Sequence, residues 1–378
     1  MPSSAALLAA LLAAAPAAAS GPWTPADPAW SWAFPRDHHG HPGHRNEWWY
    51  LTGTLEALDA PGRRFGVQLT FFRVGLLPQP PALDSAWATG EAVMGHLAIT
   101  DVAGQVHTFA EVLWRAAPLL GGFPAPDRAL LAWAQAPPGT DGRWTLQLAE
   151  GADGAERFRL EARDQARGAG LALEARPVKP RVLQGPNGYS RKAARPGYAS
   201  LYYSYPRLAT EGTLTVGGRT YRVRGTSWLD REFGSSQLAP EQVGWDWWSL
   251  RLADGRDLML YVLRRRDGGV DFATATLADR DGAVRLLGPE AWSVRVRGRW
   301  RSPRTGADYP SGWEIEVPGA GIRVTVEPEV AGAENVSALA PGLSYWEGPV
   351  RLTGSDGRPA GEGYVELTGY GAGTRPPI

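Results

Sequence analysis

The residues best suited to acid-base chemistry lie near the middle of the chain, where Asp230 and Glu232 stand between Trp228 and Phe233. Burial among aromatic side chains raises the pKa of a carboxylic acid, and a second carboxylate at the same site pushes one pKa further up. Along an extended strand Asp230 and Glu232 fall on one face and Arg231 on the other. The pattern predicts an acid pair that holds a proton near neutral pH. The alternative is an ion-pair clamp between two domains, with Arg231 paired to one of the carboxylates.

A serine nucleophile has weaker support. Residues 225–229 contain Ser227 but lack the second glycine of a G-x-S-x-G elbow, and no histidine is near in sequence. Neither a zincin helix motif nor a phosphate-binding glycine loop occurs. The fold could still bring Ser227 close to His96 or His107. Hydrolysis is therefore kept as a less favoured alternative.

Four of the six histidines lie within residues 37–44: His38, His39, His41 and His44. Imidazoles at this density could bind zinc or nickel. The simpler interpretation is a polar loop, because no helix fixes their spacing. We therefore predict neither a metal nor another cofactor.

The composition limits the class of partner. Lysine plus arginine equals aspartate plus glutamate at 39 each, so no excess charge points to a nucleic acid or an anionic membrane surface. The chain has no cysteine, which excludes disulfides and thiolate chemistry. Its 378 residues are enough for two domains with separate cores.

The first twenty residues consist of an Ala/Leu stretch that ends in Ala17, Ala18, Ala19 and Ser20. This ending fits signal peptidase, so we predict a signal peptide at residues 1–20 and an exported protein, periplasmic or secreted. A membrane anchor is the alternative, although the apolar run is short for a span. Residues 21–44, rich in proline and glycine, are predicted to form an irregular N-terminal arm.

Beyond the arm the hydrophobic pattern has a period of two, as at residues 65–73 and 361–370, with many Asp-Gly and Gly-Gly turns. Glu47-Trp48-Trp49 is followed by a hairpin that ends at Arg73, and Asp246-Trp247-Trp248 is followed by one that ends at Arg264. This weak tandem repeat predicts an all-β protein of two antiparallel β-barrels, since barrel closure removes exposed sheet edges. In each Trp-Trp pair we expect a structural role, plugging one end of a barrel under an arginine. The stretch from Ser227 to Trp248 is predicted to be the junction that closes the first barrel and opens the second.

Five ordered motifs resemble the AttH and carotenoid 1,2-hydratase family. They are residues 46–50, 202–207, 228–234, 345–348 and 363–370. The resemblance implies two tandem lipocalin-like barrels, a family domain at 45–234 and a second barrel at 235–373. It also implies an exported protein of a group often described only as secreted hydrolases. In the carotenoid hydratases, proton transfer is attributed to an aspartate that matches Asp230 and to an upstream histidine, whereas this chain has no histidine after His107.

Hydration of a carbon-carbon double bond requires a proton donor and a site that tolerates a cation, which tryptophan faces provide. The predicted catalytic residues are Asp230, Glu232, Tyr203 and Arg207. The predicted ligand-binding residues are Trp228, Tyr202, Tyr205, Arg231, Asp246, Trp248 and His96. We expect a hydrophobic, isoprenoid or lipid-like small molecule as partner and no nucleic acid, with transient membrane contact left open. A non-enzymatic lipophile-binding protein is the alternative, because small barrels can enclose one hydrophobic ligand.

Overall fold

The computed structural model describes residues 23–79, 81–151, 153–371 and 376. The predicted signal peptide lies outside these residues. Within the described residues, helix amounts to 3% and consists of short 3-10 turns, which confirms the all-β prediction. Among the described residues, no helix is long and apolar enough to cross a membrane.

The 3-10 turns span Arg36–His38, Pro186–Gly188, Pro289–Ala291 and Pro318–Ala320. The strands are β1 (Asn46–Ala57), β2 (Arg64–Gly75), β3 (Glu91–Asp101), β4 (Val106–Arg115), β5 (Gly121–Gly122), β6 (Leu130–Gln135), β7 (Arg143–Glu150), β8 (Glu156–Asp164), β9 (Ala169–Pro177), β10 (Val182–Leu183), β11 (Tyr189–Arg191), β12 (Ala199–Val216), β13 (Arg219–Ser236), β14 (Gln242–Leu252), β15 (Asp257–Arg265), β16 (Val270–Ala278), β17 (Val284–Leu287), β18 (Ser293–Val296), β19 (Arg299–Arg301), β20 (Asp308–Pro310), β21 (Trp313–Val317), β22 (Ile322–Pro328), β23 (Glu334–Val336), β24 (Ser344–Gly354) and β25 (Pro359–Thr368).

The first sheet holds β1 to β13 in the order β4-β3-β2-β1-β13-β12-β9-β8-β7-β6-β5, with β10 and β11 paired to β12. All of its pairings are antiparallel, and its two ends approach each other, so the sheet forms a nearly closed barrel. Alternate side chains of β1, such as Trp49, Leu51 and Leu55, fill the barrel interior. The intervening residues, including Trp48 and Tyr50, therefore point outward.

The second sheet holds β14 to β25 in the order β17-β16-β15-β14-β25-β24-β22-β21-β18, with β23 paired to β24 and a separate small pair of β19 and β20. It curls into a half-barrel around its own core, which contains Trp248, Trp313 and Trp346. Two curled antiparallel sheets of this kind confirm the tandem lipocalin-like architecture.

The stretch predicted to be the junction of the barrels, Ser227 to Trp248, consists of the second half of β13, a short connection and the first part of β14. Residues 227–234 lie inside β13, an 18-residue strand that pairs with β1 on one side and β12 on the other. The chain crosses to the second sheet only after β13, through residues 237–241. Both faces of β13 are buried at this point, so the period-two pattern that marks a half-exposed strand is absent.

The tandem repeat seen in the sequence is present in three dimensions. Glu47 on β1 pairs with Arg73 on β2 at 3.0 Å, and Asp246 on β14 pairs with Arg264 on β15 at 2.8 Å. The second tryptophan of each pair, Trp49 or Trp248, lies in the core of its sheet, as predicted. The first tryptophan of each pair does not plug a barrel. It faces the space between the sheets instead.

The N-terminal arm packs against one end of the first barrel. His38 hydrogen-bonds through Nδ1 to the Tyr203 hydroxyl at 2.6 Å, and Trp49 donates to the His38 carbonyl at 2.7 Å. His41 lies within 3.2 Å of Glu47 and 3.3 Å of Asp37. Across the described part of the chain, no three His, Asp or Glu side chains are arranged to hold a metal ion. The histidines instead attach the arm to the barrel.

Candidate active site between the two barrels

A cavity lies between the outer face of the first barrel and the facing side of the second sheet. Its empty space, including the part open to solvent, is about 680 Å³. The lining side chains are Trp48, Tyr50, Phe72, Lys192, Tyr202, Asp230, Glu232, Trp245, Trp247, Tyr261, Leu263 and Glu366. Trp48, Phe72, Trp245 and Glu366 are partly exposed and mark its mouth, whereas Asp230 is 3% exposed. The acid predicted from the sequence therefore lies deep in an aromatic cavity.

Asp230 is held by three hydrogen-bond donors from the first barrel. Its Oδ1 accepts from Ser204 Oγ at 2.5 Å and from Trp228 Nε1 at 2.6 Å, and the Tyr202 hydroxyl donates to the same carboxyl group. Trp247 of the second sheet donates in turn to Tyr202 at 3.4 Å. Burial outweighs these donors and raises the pKa of Asp230 to about 7. Asp230 can therefore exist as the acid at neutral pH.

Glu232 forms an ion pair with Lys192, whose Nζ lies 2.7 Å from Oε1. The ammonium group also lies 4.6 Å from the ring centre of Tyr261 and 5.1 Å from that of Tyr202. Burial favours neutral Lys192, but the charge of Glu232 prevails and raises the lysine pKa. The pair places one positive and one negative charge on the cavity wall beside Asp230.

Glu366 is the carboxyl group that the second sheet contributes to the cavity. Its Oε2 accepts a hydrogen bond from Trp245 Nε1 at 2.8 Å. Burial, together with the charges of Asp230 and Glu232, raises the pKa of Glu366 to about 7. The cavity therefore has two carboxyl groups that titrate near neutrality, one from each sheet.

The structure brings together four of the predicted site residues. Asp230, Glu232 and Tyr202 line the cavity, and Trp228 lies against it and donates to Asp230. Arg231 is on the opposite face of β13, as alternation predicted. Its positive charge therefore does not pair with Asp230 and does not favour the ionised form of that carboxyl group. The proposed ion-pair clamp between Arg231 and these carboxylates is absent, because Arg231 pairs with Glu47.

Three predicted residues point into the first barrel, away from the cavity. Tyr203 and Tyr205 follow Tyr202 on β12 and belong to the barrel core. The Arg231 guanidinium lies 3.9 Å from the ring centre of Trp49 and donates to the His39 carbonyl at 2.5 Å. Their placement as catalytic or ligand-binding residues is corrected because neighbours on a strand face opposite sides of the sheet.

Four more predicted residues lie outside the cavity. Arg207 pairs with Asp257 at 2.7 Å and ties the first sheet to the second. Trp248 lies in the core of the second sheet, while Asp246 accepts from Arg264 and from the Tyr370 hydroxyl. His96 hydrogen-bonds to Tyr345 of the second sheet at 2.7 Å and packs against the cavity residue Phe72. Burial lowers the pKa of His96 to about 3, so it is neutral at pH 7.

The sequence matches the AttH-like family model over residues 25–370. The chain belongs to the AttH-like family. A protein assigned to AttH from Nitrosomonas europaea has a crystal structure that superposes with a TM-score of 0.78 and 34% sequence identity, covering 92% of this chain and 99% of that one. AttH-like membership therefore extends over both sheets.

Two more distant solved structures share the fold of this AttH-like protein. Kievitone hydratase from Nectria haematococca has a TM-score of 0.63 and 14% identity, covering 92% of this chain and 97% of that one. CghA in complex with Sch210972 has a TM-score of 0.50 and 14% identity, with 86% and 89% covered. The sequence matches none of the curated proteins with which it was compared.

Sequence reasoning missed Lys192, Glu366 and the cavity-facing residues Trp48 and Trp247 as site residues of this AttH-like protein. A signal existed for Glu366, because it lies on the same face of β25 as Tyr364, in one of the family motifs. Lys192 follows β11 in a turn-rich segment and carries no periodic signal.

Tyr203→Phe tests the assignment of this tyrosine to the barrel interior. Without the hydroxyl, His38 Nδ1 loses its partner at 2.6 Å, so we expect a loss of about 1–3 kcal/mol in the free energy of unfolding. Urea denaturation measures this loss. Tyr202→Phe is the matched control, because its hydroxyl contacts Asp230, and it should alter the titration of that carboxyl group. An Asp230 titration that shifts equally in both variants would contradict the assignment.

Proposed function

We propose that this AttH-like protein adds water to a carbon-carbon double bond of a hydrophobic small molecule, with Asp230 as the proton donor. The observation that carries the proposal is a carboxyl group with a pKa near 7, buried in a cavity lined mainly by aromatic side chains. An ordinary aspartate is ionised at pH 7 and could not donate a proton to carbon. Burial supplies the protonated form that the reaction requires.

The reaction proceeds through a cation. Transfer of the Asp230 proton to one alkene carbon forms a C–H bond and leaves positive charge on the more substituted carbon. Water adds its oxygen to that carbon and loses a proton, which gives a tertiary alcohol. Trp48 and Trp247 line the cavity and would stabilise the cation, since the π system of tryptophan attracts positive charge. Ionised Asp230 contributes further attraction.

The aromatic lining also supports a lipophilic ligand. Trp48, Phe72 and Leu263 supply apolar walls, while Lys192 and Glu232 are confined to one side. Mainly apolar walls with a few polar groups are typical of small-molecule sites. The same fold occurs in kievitone hydratase from Nectria haematococca. Export from the cytoplasm, predicted from residues 1–20, stays part of this proposal.

Simple binding is the second candidate, because an aromatic cavity can retain a ligand without chemistry. The two carboxyl groups with raised pKa values favour catalysis over simple binding, because residues with perturbed pKa values are concentrated at functional sites. Hydrolysis through Ser227 has no geometric support. Ser227 Oγ accepts from Thr210 at 2.9 Å, whereas His107 lies between Thr100 and Asn335.

The test uses geranylacetone, an isoprenoid ketone with trisubstituted double bonds, incubated with the protein in ¹⁸O-labelled water. We expect ¹⁸O in a tertiary alcohol. Because the donor must be protonated, the rate should fall about tenfold per pH unit above about pH 7, where Asp230 ionises. Mass spectrometry across pH 5–9 measures both.

Lipid co-purified with the protein is treated in the same way. Recovery of unchanged geranylacetone and unchanged native lipid at every pH would favour binding over catalysis. Cleavage products would favour hydrolysis. A rate that rises with pH above 7 would contradict proton donation by Asp230.

A further inference from the structure

We propose that Glu366 is the base that removes the proton from the attacking water, acting from the opposite side of the cavity to Asp230. The inference rests on the proposed hydration and adds a second catalytic residue to it. It assigns one half-reaction to each sheet: Asp230 protonates carbon and Glu366 activates water.

The placement of the two carboxyl groups carries this inference. Asp230 projects from β13 of the first barrel, and Glu366 projects from β25 of the second sheet, into the same cavity. A ligand between the sheets would therefore meet one carboxyl group on each side. Asp230 is 3% exposed, whereas Glu366 is partly exposed, so Glu366 is the more accessible of the two to water.

Glu366 has a fixed orientation. Trp245 donates to its Oε2, which holds the carboxyl group against the cavity wall. Its direct neighbour across the β24–β25 pair is Glu347, so two carboxyl groups stand side by side. Like charges at directly opposed positions destabilise a sheet, which makes this pair costly unless one member is protonated.

Glu347 is the member that keeps a proton. It is fully buried and accepts a hydrogen bond from Tyr50, and burial together with the charge of Glu366 raises its pKa well above the usual value. Glu366, at the mouth, is the more easily ionised of the two. An ionised Glu366 facing a protonated Asp230 is the arrangement that hydration needs at the start of a cycle.

The step balances with water as the added reagent. The Asp230 proton forms the new C–H bond, water forms the C–O bond to the cation, and one water proton passes to the Glu366 carboxylate. Asp230 then carries the negative charge and Glu366 the proton. Transfer of one proton from Glu366 to Asp230 through solvent restores the starting state.

Glu366→Gln separates the two half-reactions. Geranylacetone is incubated with each variant in deuterated, ¹⁸O-labelled water. Both labels are followed by fragment mass spectrometry at the former alkene carbons only, because the ketone oxygen and the α-hydrogens exchange with water without an enzyme. Reversible protonation by Asp230 exchanges carbon-bound hydrogen without Glu366, because Asp230 can take the proton back. We expect Glu366→Gln to retain deuterium exchange while ¹⁸O incorporation falls by on the order of 10²-fold or more. Asp230→Asn should lose both labels.

The matched control is Glu327→Gln, which changes an exposed glutamate on β22 of the same sheet and should leave both labels at wild-type levels. Glu366→Gln protein that incorporates ¹⁸O within a factor of about two of wild type would overturn the inference, as would one that loses both labels equally. If wild-type protein incorporates neither label, hydration of this ketone is ruled out. The inference about Glu366 is then decided by a titration.

That titration follows the carboxyl groups of the ligand-free protein by infrared difference spectroscopy. The ionisable groups around the two carboxyl groups are Glu232, Lys192, Glu347, Tyr50, Tyr202 and Tyr261. Because each carboxylate raises the pKa of the other, Glu366→Gln should lower the pKa of Asp230, and Asp230→Asn should lower that of Glu366. If neither pKa moves, the two groups do not act across one cavity and the inference fails.

Discussion

Replacing Asp230 with Asn is expected to lower hydration by on the order of 10²–10⁴-fold while the protein remains folded. The amide oxygen of Asn can still accept the hydrogen bonds that Ser204 and Trp228 now donate. What the variant loses is the transferable proton. Incorporation of ¹⁸O from labelled water, at pH 6 and with matched protein concentration, measures the effect.

The same substitution has a second signature in stability. Because burial raises the pKa of Asp230, the folded state binds this proton more tightly than the unfolded state does. The contribution of the protonated Asp230 carboxyl group to stability is therefore present below about pH 4 and is lost as the pH rises toward about 7. Asp230→Asn should remove that loss, so its stability relative to wild type should increase between pH 5 and pH 8. A folded variant that keeps wild-type activity would contradict the assignment of Asp230 as a proton donor.

Glu47→Gln is expected to cause the largest loss of stability, about 3–5 kcal/mol. Glu47 is fully buried between two buried arginines, Arg231 and Arg73, and also accepts from the His41 backbone at 2.6 Å. Removal of its charge leaves both guanidinium groups buried without that carboxylate. Because the N-terminal arm lies over this cluster, the arm should also become sensitive to proteolysis.

Chemical denaturation of Glu47→Gln measures the loss, and Glu56→Gln is the control. Glu56 is on the same strand but is exposed, so its replacement should change stability by no more than about 0.5 kcal/mol. Burial alone would raise the pKa of Glu47, but Arg231, His41 and Arg73 lower it well below its usual range. Ionised Glu47 therefore stabilises the fold at pH values above the pKa that Glu47 has in the unfolded chain. This stabilisation declines as the pH falls through the pKa of Glu47 in the folded protein. Equal stability of the two variants would show that the cluster does not hold the barrel end.

The cavity depends on both sheets. Asp230 and Tyr202 come from the first, and Trp247 and Glu366 from the second, so neither sheet alone encloses a ligand. A third apolar cluster, which includes Trp228, Met259 and Tyr364, joins the two sheets beside the cavity.

The sequence by itself determined the all-β class and the Trp-Trp repeat, and it singled out Asp230 as the candidate acid, because these depend on local pattern. Alternation along β13 was enough to place Asp230 and Glu232 on one face and Arg231 on the other. The same rule could not say which face of β12 meets a ligand. Tyr202, Tyr203 and Tyr205 are all buried, so hydrophobicity does not distinguish the barrel interior from the surface covered by the second sheet.

Only the tertiary structure decided where the site is and what completes it. Lys192 and Glu366 reach Asp230 through the packing of one curled sheet on another, a contact between distant parts of the chain that no local period encodes. The outer face of an isolated barrel would be polar, but here a second sheet covers it. Burial of that covered face raises the pKa of Asp230, and the second sheet supplies the opposing carboxyl group.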